Sequence, residues 1–217
     1  MAPKRVLIAA SGEPPELELV RELAQTADLV VAVDGGLALL LRAGVVPQLL
    51  IGDLDSLDGV AIPPGVEVRR HPREKDATDL ELTLDQVVAL APEEIRLVGA
   101  LGGRVDHLLA TCGLLARHRV PIVVHHRGEV LYAVSGPLTL AGAAPGDRVS
   151  LIPLTDRVEG IRTQGLRYPL AGEPLQRTGT RGVSNQVVSL PCRVEFSRGR
   201  LLVVHAPSAR RLRKKEG

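Results

Sequence analysis

Apolar residues in the first half of the chain fall in short continuous runs, at 5–10, 28–33, 48–51, 66–70, 95–98 and 121–124, each bounded by turn residues. Runs of four to six apolar positions without polar alternation suit strands covered on both faces. Between them, 15–25, 37–43, 79–90 and 107–118 carry apolar residues at helical spacing. In the third, Leu80, Leu84, Val87, Val88 and Ala91 share a face from which Glu81 and Asp85 are excluded; in the fourth, Leu108, Leu109, Cys112 and Leu115 do the same. Strand and helix alternating with short connections predicts an α/β domain, a mostly parallel open sheet with helices on both faces.

The pattern changes near residue 128. Beyond it no amphipathic helix is evident, and strand-like runs at 130–134, 148–153, 186–190, 193–197 and 200–205 are separated by Gly and Pro turns. The expected organisation is an α/β domain over 1–127 and a smaller all-β domain over 128–217. Arg198-Gly199 suggests a hairpin between the last two strands. The end of the chain, 210–217, is rich in Arg and Lys and reads as a solvated, disordered tail.

Composition narrows the function classes. The chain has 217 residues, 45% hydrophobic, enough for a sizeable core. Its 27 Lys and Arg are nearly balanced by 25 Asp and Glu, so the net charge of +2 gives no basic body for nucleic acid. Cys112 and Cys192 are too few and too distant for a disulfide framework or zinc site. The apolar run after Met1 is too brief for a signal-peptide core or membrane span, so a cytoplasmic enzyme is expected.

Chemistry concentrates in four acidic or glycine-rich turns, each just after a short apolar run: Asp34-Gly35-Gly36, Gly52-Asp53-Leu54-Asp55-Ser56, Lys75-Asp76-Ala77-Thr78-Asp79, and the stretch from Gly99 to His107. Loops at the carboxyl ends of the strands of an open α/β sheet converge on one crevice, so these carboxylates can meet in space. Asp53 and Asp55, two apart in extended chain, project to one side and suit a hard cation, which takes oxygen ligands. Thr78 and Glu81 match a capping box, and the surplus Asp76 and Asp79 either offset the helix dipole or ligate metal. In the fourth turn Gly102 and Gly103 permit close backbone approach to a ligand, and the Arg104 fork suits phosphate oxygens. Neither a P-loop nor a dinucleotide fingerprint is present. His125 and His126, adjacent in a strand, point to opposite faces and read as structural.

The ordered set of these turns, followed by Gly165-Leu166-Arg167-Tyr168-Pro169-Leu170 and Gly182-Val183-Ser184-Asn185, resembles the thiamine pyrophosphokinase family over nearly the whole chain. The resemblance implies an α/β nucleotide-binding domain followed by a β-sandwich, in a homodimer with active sites between subunits. It implies transfer of the β,γ-pyrophosphoryl group of ATP to the hydroxyethyl oxygen of thiamine, with release of AMP, and Mg2+ as cofactor. Asp53, Asp55 and Asp79 would hold the metal, with Asp76 beside them. Asp34, Gly35, Gly36, Gly102, Gly103 and Arg104 would lie along the nucleotide phosphates, and Asp106 and His107 near the acceptor hydroxyl. Ser184 and Asn185 would contribute to the thiamine pocket, with Tyr168 where some relatives carry Trp, a residue this chain lacks. Neither nucleic acid nor membrane is an expected partner. Two other functions fit the same residues: a pyrophosphokinase acting on another hydroxymethyl acceptor such as a pterin, and a non-catalytic nucleotide-binding regulatory module.

Overall fold

The computed structural model describes residues 2–57 and 59–208, so the basic tail lies outside the described residues. The chain divides into two compact units: 1–114 with 122–127, and 115–121 with 128–217.

The first unit alternates strand and helix: β1 (Arg5–Ala9), α1 (Leu17–Gln25), β2 (Leu29–Val33), α2 (Gly36–Arg42), β3 (Leu49–Gly52), β4 (Glu67–Arg70), α3 (Asp79–Val88), β5 (Glu94–Val98), α4 (Val105–Arg117, whose last turn belongs to the other unit) and β6 (Ile122–His126). All six strands pair in parallel, in the order β6-β5-β1-β2-β3-β4. Val6, Leu7, Ile8 and Ala9 are wholly buried, as are Leu50 and Ile51, which accounts for the unalternating apolar runs. Because β5 returns to the far side of β1, the strand order reverses there, and an open sheet of this kind presents its ligand crevice beyond the carboxyl ends of the strands.

Two expectations fail in this unit. The run ending in β4 is not buried on both faces: Glu67, Val68, Arg69 and Arg70 are all exposed. β4 pairs only with β3 at the sheet edge, where charged side chains discourage further strand addition. The buried stripe of α4 is rotated from the predicted one, since Thr111, Leu114 and Leu115 are buried while Leu109 is exposed. The Thr111 hydroxyl donates to the Ala100 carbonyl at 3.3 Å, an anchor that apolar periodicity does not register.

The second unit contains β7 (Glu129–Val134), β8 (Leu138–Thr139), β9 (Arg148–Pro153), β10 (Arg157–Val158), β11 (Arg162–Gln164), β12 (Leu175–Gln176), β13 (Asn185–Gln186), β14 (Arg193–Glu195) and β15 (Leu201–Ala206). They form antiparallel ladders in the orders β13-β9-β15-β7, β11-β14-β8 and β10-β12. Val149, Leu151, Val158, Ile161, Val194, Leu201 and Val203 build its core.

The hairpin expected at Arg198-Gly199 does not form. β14 pairs with β11 and β8, whereas β15 pairs with β9 and β7, so the chain changes ladder at this corner. Here the backbone of Glu159 binds both Ser197 N–H and Arg198 C=O at 2.9 Å, diverting the chain from strand to strand pairing. The strand expected at 186–190 also shrinks to β13. The N–H groups of Val188 and Ser189 both turn to the Gly165 carbonyl, at 2.8 and 3.3 Å, and Val188 and Leu190 are exposed.

Gly36 opens α2 directly against the end of β1. A Cβ there would lie 2.0 Å from the Ala9 carbonyl oxygen. Gly36→Ala therefore forces helix and strand apart, and urea denaturation should show a loss on the order of 1–3 kcal/mol, the usual cost of overpacking a tight site.

Candidate active site

A cleft of about 660 Å³ opens in the first unit beyond the ends of β1, β2, β3 and β5, walled also by the starts of α3 and α4. Its acidic centre is built from three loops. Asp34 follows β2 with a positive φ of 45°, an uncommon backbone state that short polar side chains tolerate. Its N–H donates to the Ile51 carbonyl at 3.1 Å, and its Oδ1 accepts the Leu54 N–H at 3.0 Å. Gly52 makes this possible, since a Cβ at that position would lie 1.9 Å from Asp34 Oδ1. Asp53 comes one residue later, and Asp79 from the first turn of α3, whose amino end is capped by Thr78 accepting the Glu81 N–H at 3.2 Å.

Carboxylate oxygens of Asp34, Asp53 and Asp79 lie within 4.8 Å of one another. Lys75 bridges two of them, its Nζ 3.0 Å from Asp53 and 2.9 Å from Asp79. Among the described residues, Asp79 Oδ1 is buried without a hydrogen-bond partner. Burial, with the neighbouring charges of Asp79 and Asp53, pushes the Asp34 carboxyl up to about 6, against the opposing Leu54 N–H. The hydrogen bond from Lys75 holds Asp53 below the ordinary carboxylate range. Burial depresses Lys75, but its two carboxylates outweigh that and keep its ammonium more firmly protonated than usual.

Compact, oxygen-rich and carrying an orphaned carboxylate oxygen, the trio matches what a hard divalent cation requires. Asp34, placed along the phosphates by the resemblance, joins Asp53 and Asp79 here. Asp55 lines the same cleft but turns aside, 3.3 Å from Arg73, and accepts the Ser56 hydroxyl at 2.9 Å. Lys75 was absent from the candidate residues. It lies in the loop ahead of α3, where helical periodicity does not reach, and the signal for it is its place inside the acidic turn Lys75-Asp76-Ala77-Thr78-Asp79.

The other candidates in this unit separate into two groups. Gly102, Gly103, Arg104 and His107 line the cleft. Gly102 packs so closely on Glu13 that a Cβ would lie 2.5 Å from its side chain, and Glu13 is paired with Arg127 at 2.6 Å. Gly35 and Gly36, at the start of α2, are outside the lining, though a Cβ on Gly35 would lie 3.0 Å from the Ser56 carbonyl oxygen and 3.1 Å from Ser11 Cβ, two residues that line it. Asp76 is exposed and outside the lining. Asp106 is also outside it, joined to Arg104 at 3.1 and 2.5 Å, which holds its carboxyl well below the usual range.

In the second unit, Tyr168, Pro169, Leu170, Arg181, Val183 and Asn185 line a smaller pocket of about 250 Å³. Buried Asn185 clasps Tyr168: its Oδ1 accepts the Tyr168 N–H at 3.0 Å, and its Nδ2 donates to the Tyr168 carbonyl at 2.7 Å. The Tyr168 ring is exposed, with the Arg167 guanidinium 6.0 Å from its centre. Ser184 takes a positive φ of 60° beside this pocket, and its N–H donates to Ser150 Oγ at 3.0 Å.

A parallel α/β unit with a three-carboxylate cleft and a β unit with its own pocket define a class of phosphoryl-transfer proteins. The family model described as thiamin pyrophosphokinase, catalytic domain, matches residues 20–124, and that described as thiamin pyrophosphokinase, vitamin B1 binding domain, matches 139–201. The thiamine pyrophosphokinase of Bacillus subtilis is 27% identical over 188 residues, 82% of this chain and 87% of that protein. Among solved structures, thiamin pyrophosphokinase from Geobacillus thermodenitrificans aligns with a TM-score of 0.76 at 29% identity, covering 94% of this chain and 98% of that one. A thiamin pyrophosphokinase family protein from Enterococcus faecalis gives 0.78 at 26%, with coverage of 94% and 99%. The chain belongs to the thiamine pyrophosphokinase family.

The crowding of the acids has a measurable consequence. A carboxyl raised from 3.8 to about 6 binds its proton more tightly folded than unfolded, so the fold loses stability as pH rises through that window. In chelator-containing buffer, Asp34→Asn should be more stable than the parent by on the order of 1–3 kcal/mol near pH 8, and the difference should vanish below about pH 4. Thermal unfolding across that range checks it.

Proposed function

We propose that the chain transfers the β,γ-pyrophosphoryl group of ATP to the hydroxyethyl oxygen of thiamine, releasing AMP. The new bond forms between that oxygen and the β-phosphorus, the bond from the β-phosphorus to the oxygen retained by AMP breaks, and the hydroxyl proton is lost. The observation that carries this reading is the meeting of Asp34, Asp53 and Asp79 in a cleft of about 660 Å³, within a chain whose family match extends over both units.

Asp34, Asp53 and Asp79 would hold magnesium, with Asp55 on the same cleft wall as a further carboxylate and Asp76 at its rim. The bound ion would neutralise charge on the phosphate oxygens, the main demand of phosphoryl transfer. Lys75 offsets the like charges of Asp53 and Asp79. Gly102 and Gly103 let the backbone approach the phosphates, with Asp34, Gly35 and Gly36 across the cleft, and the Arg104 fork clamps their oxygens. Asp106, held ionised by Arg104, is a poor proton acceptor; we assign it to aiming that guanidinium and place His107 beside the acceptor hydroxyl. Tyr168, Ser184 and Asn185 are assigned to thiamine, with Asn185 fixing the Tyr168 backbone and so the ring.

We further infer a homodimer with active sites between subunits, to which the exposed Tyr168, Val183, Val188 and Leu190 are suited. Domains over 1–127 and 128–217 would serve nucleotide and thiamine respectively. A cytoplasmic location accords with the absence, among the described residues, of a helix long and apolar enough to cross a membrane.

Incubation with ATP and Mg2+ should release AMP only when thiamine is added, with thiamine diphosphate formed in equal amount. AMP release on a hydroxymethylpterin in place of thiamine would move the assignment to the other acceptor class, and ATP binding without AMP would leave a nucleotide-binding module.

A further inference from the structure

The second unit contains a cleft of about 690 Å³, as large as the one in the first unit and lined by different residues. Arg117, Arg119, Arg157, Arg198 and Arg200 face it, against the carboxylates of Asp156 and Glu159. Within the lining Glu159 lies 3.5 Å from Arg157 and offsets its charge, while Asp156, itself almost fully exposed, lies 3.6 Å from Arg177 outside the lining.

Arg200 is the decisive member. It is only 3% exposed, and its guanidinium donates to neutral acceptors alone: the Leu115 carbonyl at 2.9 Å, Ser135 Oγ at 2.8 Å and the Val120 carbonyl at 3.4 Å. A guanidinium has five N–H donors, so this set leaves capacity for an anion. Among the described residues Arg200 has no carboxylate partner. Burying such a charge without a counter-ion is costly. The carbonyls at the end of α4 offset part of that charge. Burial, with the positive charge of Arg119, pulls the Arg200 pKa down to about 10.

The corner around Gly199 builds the remaining wall. A Cβ on Gly199 would lie 2.6 Å from the Arg157 carbonyl oxygen and 2.9 Å from Thr155 Oγ1. This close approach brings Arg198 over the same cleft as Arg157. The Thr155 hydroxyl donates to the Arg157 carbonyl at 2.9 Å and accepts the Arg200 N–H at 3.1 Å, tying the corner to the buried arginine. Arg157, Arg198 and Arg200 are thus carried on a braced corner.

We propose that this cleft is a second anion site, separate from the catalytic cleft, which takes a diphosphate-bearing small molecule through Arg119, Arg198 and Arg200. Three planar forks lining one cleft match the oxygens of a diphosphate better than a single point charge would. The site is a candidate for control of the enzyme by phosphorylated compounds, independent of the acidic cleft.

The test is calorimetric titration of the full chain with inorganic pyrophosphate in EDTA, where the unneutralised acids of the first cleft repel the probe. The parent should bind one equivalent per chain, and Arg119→Ala with Arg198→Ala should weaken binding by about tenfold or more, each tenfold being 1.4 kcal/mol. Both arginines are solvent-facing, and unchanged circular dichroism would certify the fold of the double variant. Arg104→Ala, in the catalytic cleft, should leave this binding unaltered. Equal binding by parent and double variant, loss of binding in Arg104→Ala instead, or no binding to the parent would each overturn the proposal.

Discussion

Three carboxylates held within 4.8 Å of one another are the constraint on which the rest of the first unit depends. Like charges at that separation in a partly buried cleft repel strongly, and the fold tolerates them through a set of local devices. Lys75 lies between two of the acids, the Leu54 N–H points at the third, and the Asp34 carboxyl gives up part of its acidity. Gly52 leaves room for the Asp34 carboxylate, and Thr78 starts α3 where Asp79 can reach inward. Such an arrangement is unfavourable for folding, and under the function proposed above it would become useful when a cation and its phosphate ligands enter.

The two units divide the physical work. The parallel sheet offers strand ends from which loops of unrelated sequence converge, and these loops supply acids, glycines and a guanidinium. The antiparallel unit supplies apolar and aromatic surface around Tyr168, held by an Asn185 whose amide is directed at backbone. Its other cleft gathers cations as the first unit gathers acids. A chain with nearly balanced charge thus places an acid cluster and an arginine cluster in different clefts.

The α/β half was legible because buried parallel strands write themselves as continuous apolar runs, and because three of the four acidic or glycine-rich turns follow one, the turn after the exposed β4 being the exception. Membership of the acid trio was less legible. Asp53 and Asp55 look equivalent in extended chain, yet Leu54 between them has φ 66°, so the assumed extended geometry does not hold and Asp55 turns toward Arg73. Nothing in the local sequence of Asp34 sets it beside Asp53, because their closeness comes from pairing of β2 with β3. The β half was harder to read. Strands of two or three residues such as β11, Arg-Thr-Gln, have no apolar pattern, and their pairing is set by backbone hydrogen bonds between distant segments. The arginine cleft escaped notice for the same reason, since Arg119, Arg157 and Arg200 are scattered among ordinary charged positions.

The most direct test of the central claim, that Asp34, Asp53 and Asp79 form one cation site, is titration with Mn2+ followed by electron paramagnetic resonance of the free ion. One tightly held ion per chain, with affinity reduced about tenfold or more in each of Asp34→Asn, Asp53→Asn and Asp79→Asn, is the result this account predicts. Undiminished Mn2+ binding in those variants would contradict it.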